Sequence, residues 1–127
     1  MSVPILLDTH ILLWIRIAPN KLSKAERAVL DEAPSRHVST ITFWELAVLM
    51  SLGRLARDEE LLAVPEGFEG LDITARHARE LLLLPALHRD PFDRMLIAQA
   101  RVERLALLTR DKQIGSYADS HLSVLGF

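Results

Sequence analysis

Four acidic residues, Asp8, Glu45, Asp93 and Asp111, sit at positions from which they can act together. Asp8 closes the apolar run Val3–Leu7, and Glu45 falls in the first turn of the helix after a second short strand. Asp93 lies in the first turn of the helix leading back to a fourth strand, and Asp111 follows that strand. Crossover connections in a parallel sheet gather the carboxyl ends of its strands, and the N-termini of neighbouring helices, at one edge. Carboxylates far apart in sequence are therefore expected at a common rim. Crowded like charges raise one another's proton affinity unless a cation joins them. An all-oxygen set suits a hard ion, Mg²⁺ or Mn²⁺, held by one or two carboxylates with water and a substrate phosphate. With no cysteine in the chain and no serine–histidine motif, metal-assisted hydrolysis is the economical chemistry.

Each acid also has a plainer reading, because helix N-termini favour carboxylates. Thr42-Phe43-Trp44-Glu45 has the form of a capping box. Asp90-Pro91-Phe92-Asp93 sets a cap, a first-position proline and a third-position acid in order, and Asp111 is placed to cap a short helix. A cap contributes about 1 kcal/mol and makes no demand on distant acids. It is the coincidence at one edge that favours chemistry.

The elements that must do this positioning alternate along the chain. Apolar runs predict strands at Val3–Leu7, His37–Thr40, Leu71–Ile73, Leu105–Leu108 and Leu122–Leu125. Helical spacing predicts one helix from Asp8-Thr9 to near Pro19, and one from Thr42 to near Gly53. Between them, Ser23 is expected to cap a helix with Glu26 three residues on and Ala28, Val29 and Leu30 inward. Further helices are predicted over 58–64, Ala75–Leu84, Pro91 to about Glu103, and from an Asp111 cap to about Tyr117. Such alternation through residues 1–127, without repeat or linker, predicts one domain: a parallel sheet with helices on both faces.

Composition narrows the field further. Fifteen basic against seventeen acidic residues give a net charge of −2, so no gross basic excess announces a nucleic-acid partner. Half the residues are hydrophobic and a quarter charged, which excludes a disordered chain. The absence of cysteine excludes disulfide scaffolds, thiolate metal sites and cysteine nucleophiles, and suits a reducing compartment. No signal-peptide core and no apolar run near the ~18 residues that span a bilayer are present, so a soluble cytoplasmic protein with no membrane association is expected.

The acids also lie in motifs with a family resemblance. Leu6-Leu7-Asp8-Thr9-His10, Ser39-Thr40-Ile41-Thr42-Phe43-Trp44-Glu45-Leu46, His88-Arg89-Asp90-Pro91-Phe92-Asp93-Arg94-Met95-Leu96-Ile97-Ala98-Gln99-Ala100 and Leu108-Thr109-Arg110-Asp111 resemble the successive motifs of PIN-domain proteins. Among those proteins, the resemblance is to VapC-type toxins of toxin–antitoxin pairs. It spans nearly the whole chain, including Gly53-Arg54-Leu55 and Tyr117, and the Asp90–Arg94 stretch is its most specific part. The resemblance implies a five-stranded parallel sheet in a three-layer α/β/α sandwich, Mg²⁺-dependent endoribonuclease activity and a cognate VapB-like antitoxin. It makes Asp8, Glu45, Asp93 and Asp111 the catalytic metal-binding quartet. Asp8 and Asp93 are then direct ligands, while Glu45 and Asp111 bind through water or orient the nucleophile. Asp90 ranks below Asp93, as cap and support. Two positions depart from the pattern: Leu49, where relatives often carry lysine, and Ile114, where they often carry phenylalanine. The first removes a basic contact of the kind RNA would use; the second concerns packing.

Other side chains are expected to assist. Thr9 and Thr109 can hydrogen-bond carboxylates or ion-bound water, or simply pack at a strand end. With the quartet set aside the chain carries two more bases than acids, and twelve of its fifteen bases are arginine. Arg89, Arg94 and Arg110 adjoin the motifs and are candidates for contacts to RNA phosphates, against a reading as solvated surface charge. The five histidines make no convincing metal set; His10 and His88 are expected to be structural or superficial. Trp14 and Trp44 are expected as core or interface anchors. Some of Trp14, Ile17, Leu49, Met50, Leu52 and Leu55 are expected to stay exposed, marking a homodimer contact and a groove for an antitoxin helix. Two other classes fit less of the sequence. A phosphatase with Asp8 as nucleophile would usually carry a further aspartate two residues on, where this chain has His10. A catalytically inactive PIN-like module binding a partner helix has no need of all four acids.

Overall fold

The computed structural model describes residues 3–119 and 121–126. Its strands are β1 (Ile5–Leu7), β2 (Arg36–Ser39), β3 (Glu69–Leu71), β4 (Ala106–Leu108) and β5 (Val124–Leu125). All pair in parallel, in the order β3-β2-β1-β4-β5. Parallel neighbours cannot be joined by tight hairpins, so helices carry the crossovers. These are α1 (Thr9–Ile17), α2 (Lys24–Glu32), α3 (Thr40–Ser51), α4 (Ala75–Leu83), α5 (Pro91–Glu103) and the single turn α6 (Lys112–Gly115). None is long and apolar enough to cross a membrane.

Side chains alternate across the two central strands and so build two cores. Leu6 and Leu107 enter one core with Leu96, Ile97 and Ile114. Ile5, Leu7, Ala106 and Leu108 enter the other with Ile11, Leu12 and Leu30. The sheet is therefore the middle layer, with α1 and α2 on one face and α4, α5 and α6 on the other, as expected of a three-layer α/β/α sandwich. From β1 the chain moves outward to β2 and β3, then crosses back to β4 and β5 on the other side. Strand order thus reverses between β1 and β4, the place in an open α/β sheet where ligands bind beyond the carboxyl ends. The Asp8 amide donates to the Leu108 carbonyl at 3.1 Å, so the two strand ends that flank this crevice are stitched together.

Several boundaries differ from the sequence reading. The segment expected as strand Leu71–Ile73 pairs two residues earlier, because its register is set by β2: His37 faces Glu69 and Ser39 faces Leu71. The Ile73 amide instead donates to the Thr40 hydroxyl at 3.3 Å. The predicted helix over 58–64 is a 3₁₀ turn, Glu59–Leu62, capped by Asp58. The helix expected from Thr42 begins at Thr40 with Ser39 as its cap, so Thr42-Phe43-Trp44-Glu45 forms no capping box. The box at Ser23 and Glu26 is present and Leu30 is buried as expected, but Ala28 is exposed and Glu26 is buried in its stead.

Glu26 is buried because it is paired. Its carboxylate accepts the Ser23 amide at 2.8 Å and the Arg110 Nε at 2.6 Å, with a second Arg110 contact through Nη2. Removing one partner of a buried pair leaves the other unsatisfied. Glu26→Ala also breaks the capping box, and is expected to lower stability by about 2 kcal/mol. Urea denaturation monitored by circular dichroism measures this; an unchanged midpoint would contradict it.

Candidate active site

Asp8 follows β1 directly and caps α1, its Oδ1 accepting the His10 amide at 3.0 Å. It is buried, and its Oδ2 accepts a hydrogen bond from the Thr109 hydroxyl. Burial pushes the Asp8 carboxyl up, but the His10 imidazole at 3.7 Å, the Thr109 hydroxyl and the His10 amide outweigh it. Asp8 therefore ionises below the ordinary carboxylate range. The same Thr109 hydroxyl accepts the Asp111 amide at 3.0 Å, so one side chain at the end of β4 ties two of the acids together. Asp111 caps α6 through Oδ1, bonded to the Gln113 amide at 2.8 Å, and leaves Oδ2 free to face the crevice side chains.

Glu45 and Asp93 enter from helices. Because α3 starts at Thr40, Glu45 lies past its first turn, and the carboxylate is held by the buried Thr9 hydroxyl at 2.7 Å. Burial raises the Glu45 carboxyl, the Thr9 bond opposes this, and the charges of Asp90 and Asp8 add to it. Asp90 caps α5, accepting the Phe92 and Asp93 amides at 2.8 and 3.3 Å. That cap, with Pro91 at the first helical position, fixes Asp93 in the first turn. The Asp93 carboxyl is pushed up to about 7 by burial first, then by the charges of Asp90 and Asp8, with Glu45 adding and a His88 hydrogen bond opposing. Asp8, Glu45, Asp90 and Asp93 thus share one electrostatic neighbourhood. A half-buried carboxyl that burial and then its neighbours' charge make reluctant to ionise is a place where a cation relieves the crowding.

The structure also brings in a residue that sequence reasoning set aside. The His88 Nε2 lies 2.9 Å from Asp93 Oδ2 and 3.5 Å from Asp111 Oδ2. Among the described residues, donor atoms of His88, Asp93 and Asp111 all lie within 4.8 Å of one another. The available signal was slight: a histidine two residues ahead of the Asp90 cap.

The three arginines part company. Arg110 is turned away from the acids, gripping Glu26 and lying over the Trp14 ring at 4.3 Å from its centroid. Arg94 is half-buried and reaches back to the Leu84 carbonyl at 3.5 Å. Both were candidates for substrate contact, and in this structure both guanidinium groups engage protein partners. Arg89 is exposed beside the Asp90 cap.

The sequence matches the PIN domain family over residues 5–120. The chain belongs to the PIN-domain family. This PIN domain is 28% identical over 124 residues to Ribonuclease VapC22 of Mycobacterium tuberculosis, covering 89% of this chain and 91% of that one. Its fold is shared with VapBC2 from Rickettsia felis bound to a DNA fragment from their promoter, at 17% identity and a TM-score of 0.70, covering 98% of each chain. It is shared as well with DNA-bound VapBC from Salmonella typhimurium, at 20% identity and a TM-score of 0.68, covering 99% of this chain and 98% of that one.

Proposed function

We propose that this PIN domain is a metal-dependent endoribonuclease, the toxin of a toxin–antitoxin pair, acting at the rim formed by Asp8, Glu45, Asp93 and Asp111. The observation that carries the reading is the arrival of these acids, from four different elements, at the point where the strand order reverses. Its likeness to a protein named as a ribonuclease supports the substrate class. A bound divalent ion, Mg²⁺ or Mn²⁺, would supply the positive charge that acidifies water and stabilises the phosphate oxygens in hydrolysis. Asp8, held ionised by Thr109 and His10, is a ligand ready for it. Asp93 becomes one when it gives up its proton. Glu45, aimed by Thr9, orients the attacking water and accepts its proton, while Asp111, its backbone amide held by Thr109, faces the ion's place through its second carboxylate oxygen. Arg89 stands outside this rim, where an RNA phosphate would approach.

Labelled RNA incubated with the purified protein is the direct test. Cleavage with Mg²⁺, lost in EDTA and restored by excess Mg²⁺, is expected. Cleavage indifferent to EDTA, or none with either ion, would overturn the reading.

Two apolar surfaces support the partners. Trp44, 62% exposed, stands on α3, a helix apolar around most of its circumference, Leu52 is exposed at that helix's C-cap, and Ile17 is exposed at the end of α1. These side chains are offered to the helix of a VapB-like antitoxin; the fold is shared with a toxin–antitoxin complex from Klebsiella pneumoniae and with VapBC2 from Rickettsia felis. Leu82, 84% exposed, Leu83 and Leu87 crowd the end of α4 and the turn after it, where a second copy would cover them. Light scattering at micromolar concentration is expected to report a dimer, and Leu83→Asp a monomer; a monomeric parent protein would contradict the homodimer.

A further inference from the structure

His88 is not one of the four acids, yet its Nε2 lies against the carboxylates of two of them, Asp93 and Asp111. It lies in the irregular segment before α5 with its side chain only 10% exposed. Its place there is fixed by Tyr117, a buried residue in the stretch after α6. The Tyr117 hydroxyl accepts the backbone amides of Leu87 and His88 at 3.0 and 2.9 Å and donates to the Pro85 carbonyl at 2.8 Å. Those three bonds use the hydroxyl's one proton and both acceptor positions. The backbone that carries the imidazole is thereby clamped from another part of the fold.

The imidazole so held points a single nitrogen between two carboxylates. One ring proton serves one acceptor well, and the separations show it: 2.9 Å to Asp93 and 3.5 Å to Asp111. A divalent ion in place of that proton serves all three groups at once. Neighbouring ligands of a six-coordinate ion with bonds of ~2.1 Å stand about 3 Å apart, close to the two separations from the imidazole, and the three donor atoms all lie within 4.8 Å of one another. The opposite ring nitrogen, Nδ1, faces the Asp90 amide at 3.5 Å, a long contact, so the proton on Nε2 is held mainly by the Asp93 carboxylate that an ion would also engage.

We propose that His88 is a metal ligand, its Nε2 joining the Asp93 and Asp111 carboxylates in a nitrogen–oxygen–oxygen set that favours Mn²⁺ over Mg²⁺. Imidazole suits transition ions, whereas Mg²⁺ prefers oxygen and keeps its waters. The proposal rests on the reading that this rim holds a divalent ion, and its test separates the two.

The full chain, loaded with Mn²⁺, is examined by electron spin-echo envelope modulation, which detects a nitrogen bound directly to the ion. Nitrogen modulation is expected in the parent protein and in His10→Gln, and its loss in His88→Gln. Calorimetry with the metals alone should show Mn²⁺ binding weakened about tenfold or more by His88→Gln, with Mg²⁺ binding changed by less than about threefold. Tyr117→Phe, which opens the clamp and touches no donor, should weaken Mn²⁺ in the same direction. Mn²⁺ bound without nitrogen modulation in the parent protein overturns the proposal, as does a signal lost with His10→Gln and kept with His88→Gln. In either case metal-dependent RNA cleavage leaves the proposed function standing. A protein that binds neither ion overturns both.

Discussion

Asp8→Asn is expected to reduce metal-dependent RNA cleavage by about 10³-fold or more in a protein that still folds. The two roles of Asp8 are carried by different atoms. Oδ1 caps α1 through the His10 amide, and asparagine keeps an oxygen for that bond. The charge and the second oxygen, which faces Thr109, are what the substitution removes. An amide nitrogen in that place donates where the carboxylate accepted, so the Thr109 hydroxyl loses its acceptor while still receiving the Asp111 amide. One unmet buried hydroxyl proton costs about 1 kcal/mol, a fall of a few degrees in Tm. Circular dichroism melting and the labelled-RNA assay are run on the same preparation. A cooperative melt with no cleavage is the expected pair; a cooperative melt with cleavage retained would remove Asp8 from the chemistry.

The parts of this arrangement that rest on local signals were legible in the sequence. Apolar runs marked the strands β1 and β4, and the caps at Ser23, Asp90 and Asp111 are present where the residue types placed them. What escaped was decided by partners far along the chain. Thr42 and Glu45 have capping-box spacing, but Ser39 offers an equally good cap three residues earlier, and the Thr9 hydroxyl gives Glu45 a partner across 36 residues. Helix start and site geometry were settled together by that tertiary bond. Arg110 adjoins Asp111 in sequence, yet pairs with Glu26, 84 residues away, which also explains why that glutamate is buried on α2 beside Leu30 while Ala28 is exposed. His88 sits in a stretch with no periodicity to read. Its direction depends on a tyrosine hydroxyl 29 residues later, and no local pattern encodes that.

Asp93→Asn should separate stability from activity more sharply than any other change at the rim. The Asp93 carboxyl holds its proton up to about 7 in the folded protein, against an ordinary value of 3.8. Between those values the folded chain binds more protons than the unfolded one, so stability of the metal-free protein falls as pH rises. This contribution is fully present below 3.8 and lost above about 7. His10, raised by Asp8, acts in the same sense, its contribution lost as pH rises through its elevated value. Asp8, lowered, acts in the opposite sense, its contribution present above the ordinary carboxylate range and lost in acid. Asparagine at position 93 cannot ionise and still accepts from His88. In EDTA the variant should therefore melt on the order of 5 °C above the parent at pH 8, and above it by less than half as much at pH 5. A divalent ion competes with the proton, so adding it should raise the parent's Tm more at pH 8 than at pH 5. The variant should gain little from the ion and cleave no RNA. Thermal melts at the two pH values, with EDTA and with Mn²⁺, contain the whole test. A parent equally stable at both pH values in EDTA, with no gain from the substitution at pH 8, would mean that the crowded charge at Asp93 is not what the ion relieves.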